Sequence, residues 1–361
     1  MSTLKLLRVG LVGPLPPPGG GMANQTRQLA ELLQGEGASV EWARTNSPYR
    51  PQFVAGWWGA RALFRLVPYL VALWRLAGRV DLFHVMANSG WSWHLYAAPA
   101  IWAARLRRVP VIVNYRGGEA AQFLAKSQSL VRWSMRRANC VVVPSGFLER
   151  VFANHGITAQ VVPNVVNLDL FRPNETPRAR AAHIVVARNL ELLYDNESAL
   201  RAFKRVLDRI PAATLTIAGR GAEESRLRSL AQKLGLTEKV RFTGAIDREA
   251  MARLYRDADV SLNPSRADNM PNSLLESMAS GVPVVSTNVG GVPFMVQHGV
   301  TALLVDAGDV PAMADAIVQL LEDPALWQRF SQAGLDQVRR YTWPQVAPQL
   351  EAIYCRAMNR A

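Results

Sequence analysis

The sequence predicts an α/β protein of two domains, each a parallel sheet flanked by helices, and three observations predict it. The chain has 361 residues, where one domain takes roughly 100–200. Short β-branched runs alternate with longer amphipathic stretches, as βαβ units require. The alternation pauses at a polar, proline-containing segment over 163–177 and then restarts. Hydrophobic residues make up 49% and charged residues 19%, close to the globular average, which excludes disordered and fibrous classes.

In chain order, strands are predicted over 8–13, 82–86, 111–115 and 140–144 in the first half. Helices fall over 22–34, 91–108 and 119–138, each ending near Gly, Pro or a basic residue. After the linker come strands over 184–187, 214–218, 240–243, 260–262 and 284–286. The stretch 310–360 is helical in pattern and strand-free, and is expected to pack outside or cross back between domains. The basic and apolar residues at the N-terminus run straight into Pro16–Gly21 with no small-residue cleavage site, so they read as a strand and not as a signal peptide.

Cys140 and Cys355, far apart, supply neither a disulfide framework nor a metal site and fit a reducing compartment. The net charge of +13 is unevenly spread. Residues 1–170 hold 18 basic and 7 acidic side chains, whereas 171–361 hold 23 and 21, and eight of the ten tryptophans lie in the first half. Within 59–80, Arg61, Arg65, Arg75 and Arg79 fall in an arc of roughly 80° on an otherwise apolar helix, which Pro68 would kink. The run between Arg65 and Arg75 is far short of the ~20 residues that span a bilayer. An ordinary surface helix is one reading. A helix lying on an anionic membrane surface, with those four arginines facing it, is the other, supported by the clusters Arg105, Arg107, Arg108 and Arg132, Arg136, Arg137. Nucleic acid is not expected, because no helix-turn-helix, zinc or RNA-binding signature accompanies the charge.

The chemistry concentrates in one block running from Asn263 through Asp268, Asn269, Met270, Pro271, Asn272, Ser273 and Glu276 to Gly281 and Pro283, then Gly290 and Gly291. Asp268 stands in a loop, and Glu276, eight positions on, stands one turn into a helix that Asn272 or Ser273 can cap. Unpaired amides at such a helix start suit hydroxyls or phosphate oxygens, and a carboxylate accepts both hydroxyls of a ribose. Taken alone, the acid pair reads better as a solvated loop acid and a helix acid.

With its flanks, this block resembles the retaining GT-B glycosyltransferases of family 4, whose hallmark is an acid, seven residues and a glutamate before a small-residue turn. The resemblance runs over 184–305, more loosely through 341–354, and back to 8–37. It implies a GT-B architecture, two Rossmann-like domains with parallel sheets facing each other across a cleft: an acceptor-side domain over 1–170, a nucleotide-sugar-binding domain over 171–342 and a C-terminal helix over 343–361 crossing back. It implies that Glu276 binds the donor ribose, that Asp268 acts on the transferred sugar, and that the 269–273 backbone holds sugar and diphosphate. Arg188 matches the arginine that neutralises the diphosphate, and its fork suits that charge. Gly19, Gly20 and Gly21 after the first strand match the loop that closes on the donor, stiffened by Pro14–Pro18.

Arg116, Gly117, Gly118 and Glu119 match a segment that usually reads His-Gly-Gly and faces the transferred sugar, so Arg116 enters as a catalytic candidate and the other three as acceptor-side residues. An arginine cannot relay a proton, and a sheet-edge role for Arg116 is the alternative. The family's lysine after Arg188 is absent, with Leu193, Tyr194 and Asp195 in its place, and Phe294 replaces an acid. The resemblance thus implies a retaining transferase moving a hexose-type sugar from a UDP or GDP sugar to an acceptor hydroxyl. No cofactor is expected, and no metal, since there is no Asp-x-Asp motif. The basic, Trp-rich half suggests a lipid-linked or envelope saccharide acceptor for exopolysaccharide, O-antigen or lipopolysaccharide synthesis, and a cytoplasmic protein peripheral on the inner membrane face. The alternative is a non-catalytic nucleotide-sugar-binding partner of another transferase.

Overall fold

The computed structural model describes residues 4–17, 20–48, 61–175 and 181–359. Gly19, Pro18 and the first two residues of the 59–80 stretch lie outside them. The chain forms two compact units, Met1–Asn164 with Val346–Ala361, and Val165–Gln345.

The first unit alternates β1 (Arg8–Gly13), α1 (Gly21–Gly35), β2 (Ser39–Arg44), α2 (Arg61–Leu76), β3 (Leu82–Ala87), α3 (Ala98–Leu106), β4 (Val111–Tyr115), α4 (Ala120–Met135), β5 (Cys140–Val143), α5 (Gly146–Asn154) and β6 (Gln160–Val161). The strands pair in parallel in the order β2-β1-β3-β4-β5-β6. Side chains alternate across a strand, so Phe83 and Val85 join the core that α2 to α5 cover, while His84 faces the other way. There it meets Tyr354 of the C-terminal helix: His84 Nδ1 and the phenol oxygen are 2.8 Å apart, and the Asn114 amide lies 3.0 Å from Nε2. Since the amide can only donate, Nε2 accepts and Nδ1 carries the hydrogen toward Tyr354. Burial, with the nearby Arg116 charge, pulls His84 down to about 3, so this imidazole stays neutral.

The second unit holds β7 (His183–Ala187), α6 (Asn196–Arg209), β8 (Thr214–Ala218), α7 (Glu224–Lys233), β9 (Val240–Gly244), α8 (Arg248–Arg256), β10 (Val260–Asn263), α9 (Asn272–Ala279), β11 (Val284–Thr287), β12 (Leu303–Val305), α10 (Val310–Glu322) and α11 (Pro324–Val338), before α12 (Trp343–Met358) rejoins the first unit. Its parallel order is β12-β11-β10-β7-β8-β9. Helix α10, in the stretch expected to pack outside or cross back between domains, packs Met313, Ile317 and Leu320 into the same core as Ile184, Phe203 and Leu215.

The predicted helix over 91–108 is a π-helical turn, Trp93–Ala97, running into α3. Helix α4 breaks at Ser127 (φ −124°), and α2 stops at Leu76, so Arg79 lies in the turn beyond it. Asp309 and Asp323 cap α10 and α11 by accepting from Ala312 and Leu326. Phe203 of α6, wholly buried in that core, is with Phe330 one of its two largest buried side chains, and Phe203→Ala is expected to cost about 3–5 kcal/mol, read as a lower urea midpoint.

Candidate functional site

Ligands of open parallel sheets sit beyond the carboxyl ends of the strands, where the strand order reverses. In the second unit that point lies between β7 and β10, and Arg188 is the first residue after β7 while Asp268 stands in the loop after β10. The Arg188 Nη2 donates to Asp268 Oδ2 in a short ion pair, with both side chains about one-tenth exposed. Arg188 Nη1 reaches Ser273 Oγ at 3.3 Å, and the guanidinium lies 4.2 Å over the Tyr194 ring. Its Nε is buried with no hydrogen-bond partner. Burial pushes the Asp268 carboxyl up, against the pull of Arg188, the Asn269 amide and the Ser265 hydroxyl.

The loop that carries Asp268 is braced by buried polar bonds. Ser265 donates to Asn263 at 2.7 Å, Asn263 to Ser286 at 3.0 Å, and Thr287 to the Ser265 carbonyl at 2.6 Å. Gly291 N donates to the Asp268 carbonyl at 2.8 Å, and a Cβ on Gly290 (φ +53°) would collide with that carbonyl. Gly219, after β8, presses as closely on the Arg188 carbonyl. That glycine escaped sequence reasoning, as did Tyr194. The only available signal was their placement just after a strand end and in the gap left by the missing lysine.

Helix α9 begins after Pro271, with no side-chain cap. Asn272 and Ser273 are its first turn and not its cap, because Ser273 turns its hydroxyl to Arg188. The Tyr255 hydroxyl holds the Ser273 carbonyl at 3.2 Å. Met270 and Asn269 are both buried. Glu276, one turn in, accepts no hydrogen bond from the described residues. Burial raises it to about 7, with Arg248 and Arg188 opposing.

In the first unit the reversal lies between β1 and β3. A cavity of about 380 Å³ opens there, lined by Gly20, Gly21, Asn46, Asn88, Tyr96 and Arg65 among others. Arg65 thus faces this cavity, whereas Arg75 and Arg79 are exposed. The Arg61 side chain is outside the described residues. Arg116 donates to Asn114 (2.9 Å), Gln25 of α1 (3.2 Å) and Asn164, and burial lowers it to about 10. Gly117 packs on Ser89 and Asn88, while Gly118 and Glu119 are exposed.

The outer face of α2 to α4 carries exposed Val67 (55%), Trp74 (48%), Leu130 (63%) and Trp133 (52%). Arg107 covers Trp74 at 4.9 Å, and Arg137 lies over both Trp102 and Trp133 at 5.2 and 5.4 Å. No acidic residue occurs in these three helices. Among the described residues no helix is long and apolar enough to cross a membrane, and no group of His, Cys, Asp and Glu could hold a metal ion.

Residues 19–170 match the family described as Glycosyltransferase Family 4, and residues 183–323 match Glycosyl transferases group 1. The phosphatidyl-myo-inositol mannosyltransferase of Mycobacterium leprae is 29% identical over 371 residues, covering 96% of each chain. The D-inositol 3-phosphate glycosyltransferase of Corynebacterium diphtheriae is 31% identical over 219 residues, 56% of this chain and 51% of that protein. In fold, the chain is similar to sucrose-phosphate synthase from Thermosynechococcus elongatus (TM-score 0.78, 22% identity, 98% of this chain and 100% of that one). It is also similar to Anabaena HepE in complex with UDP and glucose (TM-score 0.75, 17% identity, 96% and 98%). With the two family matches spanning most of its length, the chain belongs to the group 1 glycosyltransferases of family 4, of GT-B fold, and is a glycosyltransferase that draws on a nucleotide sugar.

Proposed function

We propose that the protein transfers a hexose-type sugar, with retention, from a UDP or GDP sugar to a hydroxyl of a lipid-linked or envelope saccharide held at an anionic membrane surface. The observation that carries the reading is the cluster at the β7/β10 reversal. A buried guanidinium with an unpartnered Nε, an uncapped helix start and a half-buried carboxylate without a hydrogen bond one turn later match a diphosphate and a ribose in that order along the site. Arg188 and the α9 amides then carry the charge that grows on the leaving diphosphate, which is electrostatic preorganisation and gives a metal no part. Glu276 takes the ribose hydroxyls, and Asp268, joined to Arg188, sits beside the transferred sugar. Retention follows from the family resemblance: the leaving phosphate oxygen takes the acceptor proton on the face it departs from. In the acceptor-side first unit, Gly20 and Gly21 border the cavity at the β1/β3 reversal, with Gly117, Gly118 and Glu119 beyond Arg116. Arg116 itself, held by three amide side chains, fits a role in charge placement and not in proton transfer.

The lipid-linked acceptor rests on two supports. The Mycobacterium leprae relative, similar along its whole length, is named for a membrane lipid. The α2 to α4 face joins exposed aromatic and aliphatic side chains to arginines without a carboxylate, which suits an anionic interface at about 1 kcal/mol per basic residue. Because the stacked Tyr194 fills the place of the missing lysine, a binding subunit without turnover is the second reading.

Three experiments test these points. Arg188→Lys keeps the charge but loses the fork, and is expected to lower kcat/KM about 100-fold with UDP or GDP sugars and membrane extract as acceptor. Wild type that binds donor tightly yet never turns over would favour the subunit reading. An acid raised to about 7 is protonated below that value, so wild-type UDP affinity should rise about tenfold per pH unit up to about 7 and then level, a trend missing from Glu276→Gln. The sign for stability is opposite. The folded state holds this proton more tightly than the unfolded chain, so the favourable contribution present at low pH is lost between about 4.5 and about 7. Val67→Glu with Leu70→Glu should leave the protein in the supernatant of anionic vesicles that sediment the wild type.

A further inference from the structure

At the other end of the first sheet, where β5 and β6 begin, a cavity of about 300 Å³ is lined by Arg132, Arg136, Asn139, Gly156, Thr158 and Gln160 among others, and by no carboxylate. Arg132 and Arg136 stand one turn apart at the end of α4. Neither guanidinium has an ion-pair or hydrogen-bond partner among the described residues, and the Arg132 Nε is fully buried. Gly156 (φ +66°) leaves room for this side chain, since a Cβ there would stand 2.8 Å from Arg132 Nη2. The Gln160 carbonyl oxygen is already taken by Arg356 at 2.7 Å, which leaves its amide hydrogens as the free function. The Asn139 amide is likewise engaged, with Val111 and Ala357.

Cations at a helix C-terminus are favoured by the macrodipole, which explains two arginines on the surface there. It does not explain a guanidinium drawn under cover with an unmet donor, which costs free energy unless an acceptor arrives. The wall is rich in donors and its charge is wholly positive. From these observations we propose that this cavity binds a phosphate group, with Arg132 and Arg136 as its two arms. A phosphate offers oxygens to both forks at once, as a neutral polyol does not. The site lies at the strand starts, whereas Arg116 and the Gly20 cavity stand at the strand ends, so it is separate from the donor and acceptor reading and does not depend on it. Leu130 and Trp133 stand exposed on the same turns of α4, so the phosphate can come from a lipid head group or from a small phosphorylated molecule.

The test replaces chloride by inorganic phosphate at constant ionic strength and follows thermal unfolding. The wild type should show a saturable rise in Tm that R132Q/R136Q loses. If the double variant does not fold, R136Q, altered at an exposed position, should weaken the apparent phosphate affinity several-fold. No rise in the wild type, or a rise that survives in the variants, overturns the proposal. A second arm floats the protein with phosphatidylcholine vesicles carrying phosphatidic acid or, at equal surface charge, phosphatidylglycerol. A preference for phosphatidic acid that R132Q/R136Q abolishes assigns the phosphate to a lipid. A phosphate-dependent Tm rise without that preference assigns it to a soluble ligand.

Discussion

Two opposite charges removed from water at the ends of neighbouring strands set the terms for the second unit. Desolvating an arginine and an aspartate costs several kcal/mol per ion and is offset only where geometry is good and every remaining polar atom is met. Around Arg188 and Asp268 most of those conditions are visible. Ser273 and the Tyr194 face hold the guanidinium, while the Asn269 amide holds the carboxylate. The chain from Ser265 through Asn263 to Ser286 then ties the loop to β11. The exception is the Arg188 Nε, and an unmet donor at the mouth of a parallel sheet is where an incoming anion gains most. On the proposed function, the site is assembled before a diphosphate arrives, so little reorganisation accompanies binding.

Most strands that sequence reading found have side chains buried on both faces, the half-exposed edge strand Val240–Gly244 being the exception. The runs Arg8–Gly13, Val111–Tyr115 and Thr214–Ala218 are nearly continuous apolar strands inside their sheets. Those it missed, Ser39–Arg44, Gln160–Val161 and Leu303–Val305, are edge strands. The first interleaves polar residues, and the other two are only two and three residues long. At the site, the acid spacing and the arginine after β7 were legible because they recur as a pattern along the chain. The stacking of Tyr194, the pairing of Arg188 with Asp268 and the closeness of Gly219 were not, because each joins segments far apart in sequence. Arg65 shows the same limit: helical periodicity put it in one stripe with Arg75, but the cavity wall it belongs to is made by three other segments.

The charge asymmetry of the first unit also has a structural logic. Arg75, Arg105 and Arg132 lie in the last turns of α2, α3 and α4, with Arg79, Arg107, Arg108, Arg136 and Arg137 just beyond. In a parallel sheet every such turn leads into the start of a strand, so three clusters separated by about thirty residues converge on one end of the unit. The helix dipoles favour cations there, and with no carboxylate in the helices the field they create is uncompensated. The unit is therefore polarised, with its positive end away from the strand ends that carry Arg116.

The return of α12 to the first unit carries one more implication. Residues 165–345 are a continuous insertion, whereas the first unit is closed only when Tyr354, which follows that insertion, reaches His84. A ribosome releases these segments in order, so the inserted unit can complete its core while the earlier one still exposes the sheet face that α12 will cover. Of the two, the first unit is the one that needs protection during synthesis.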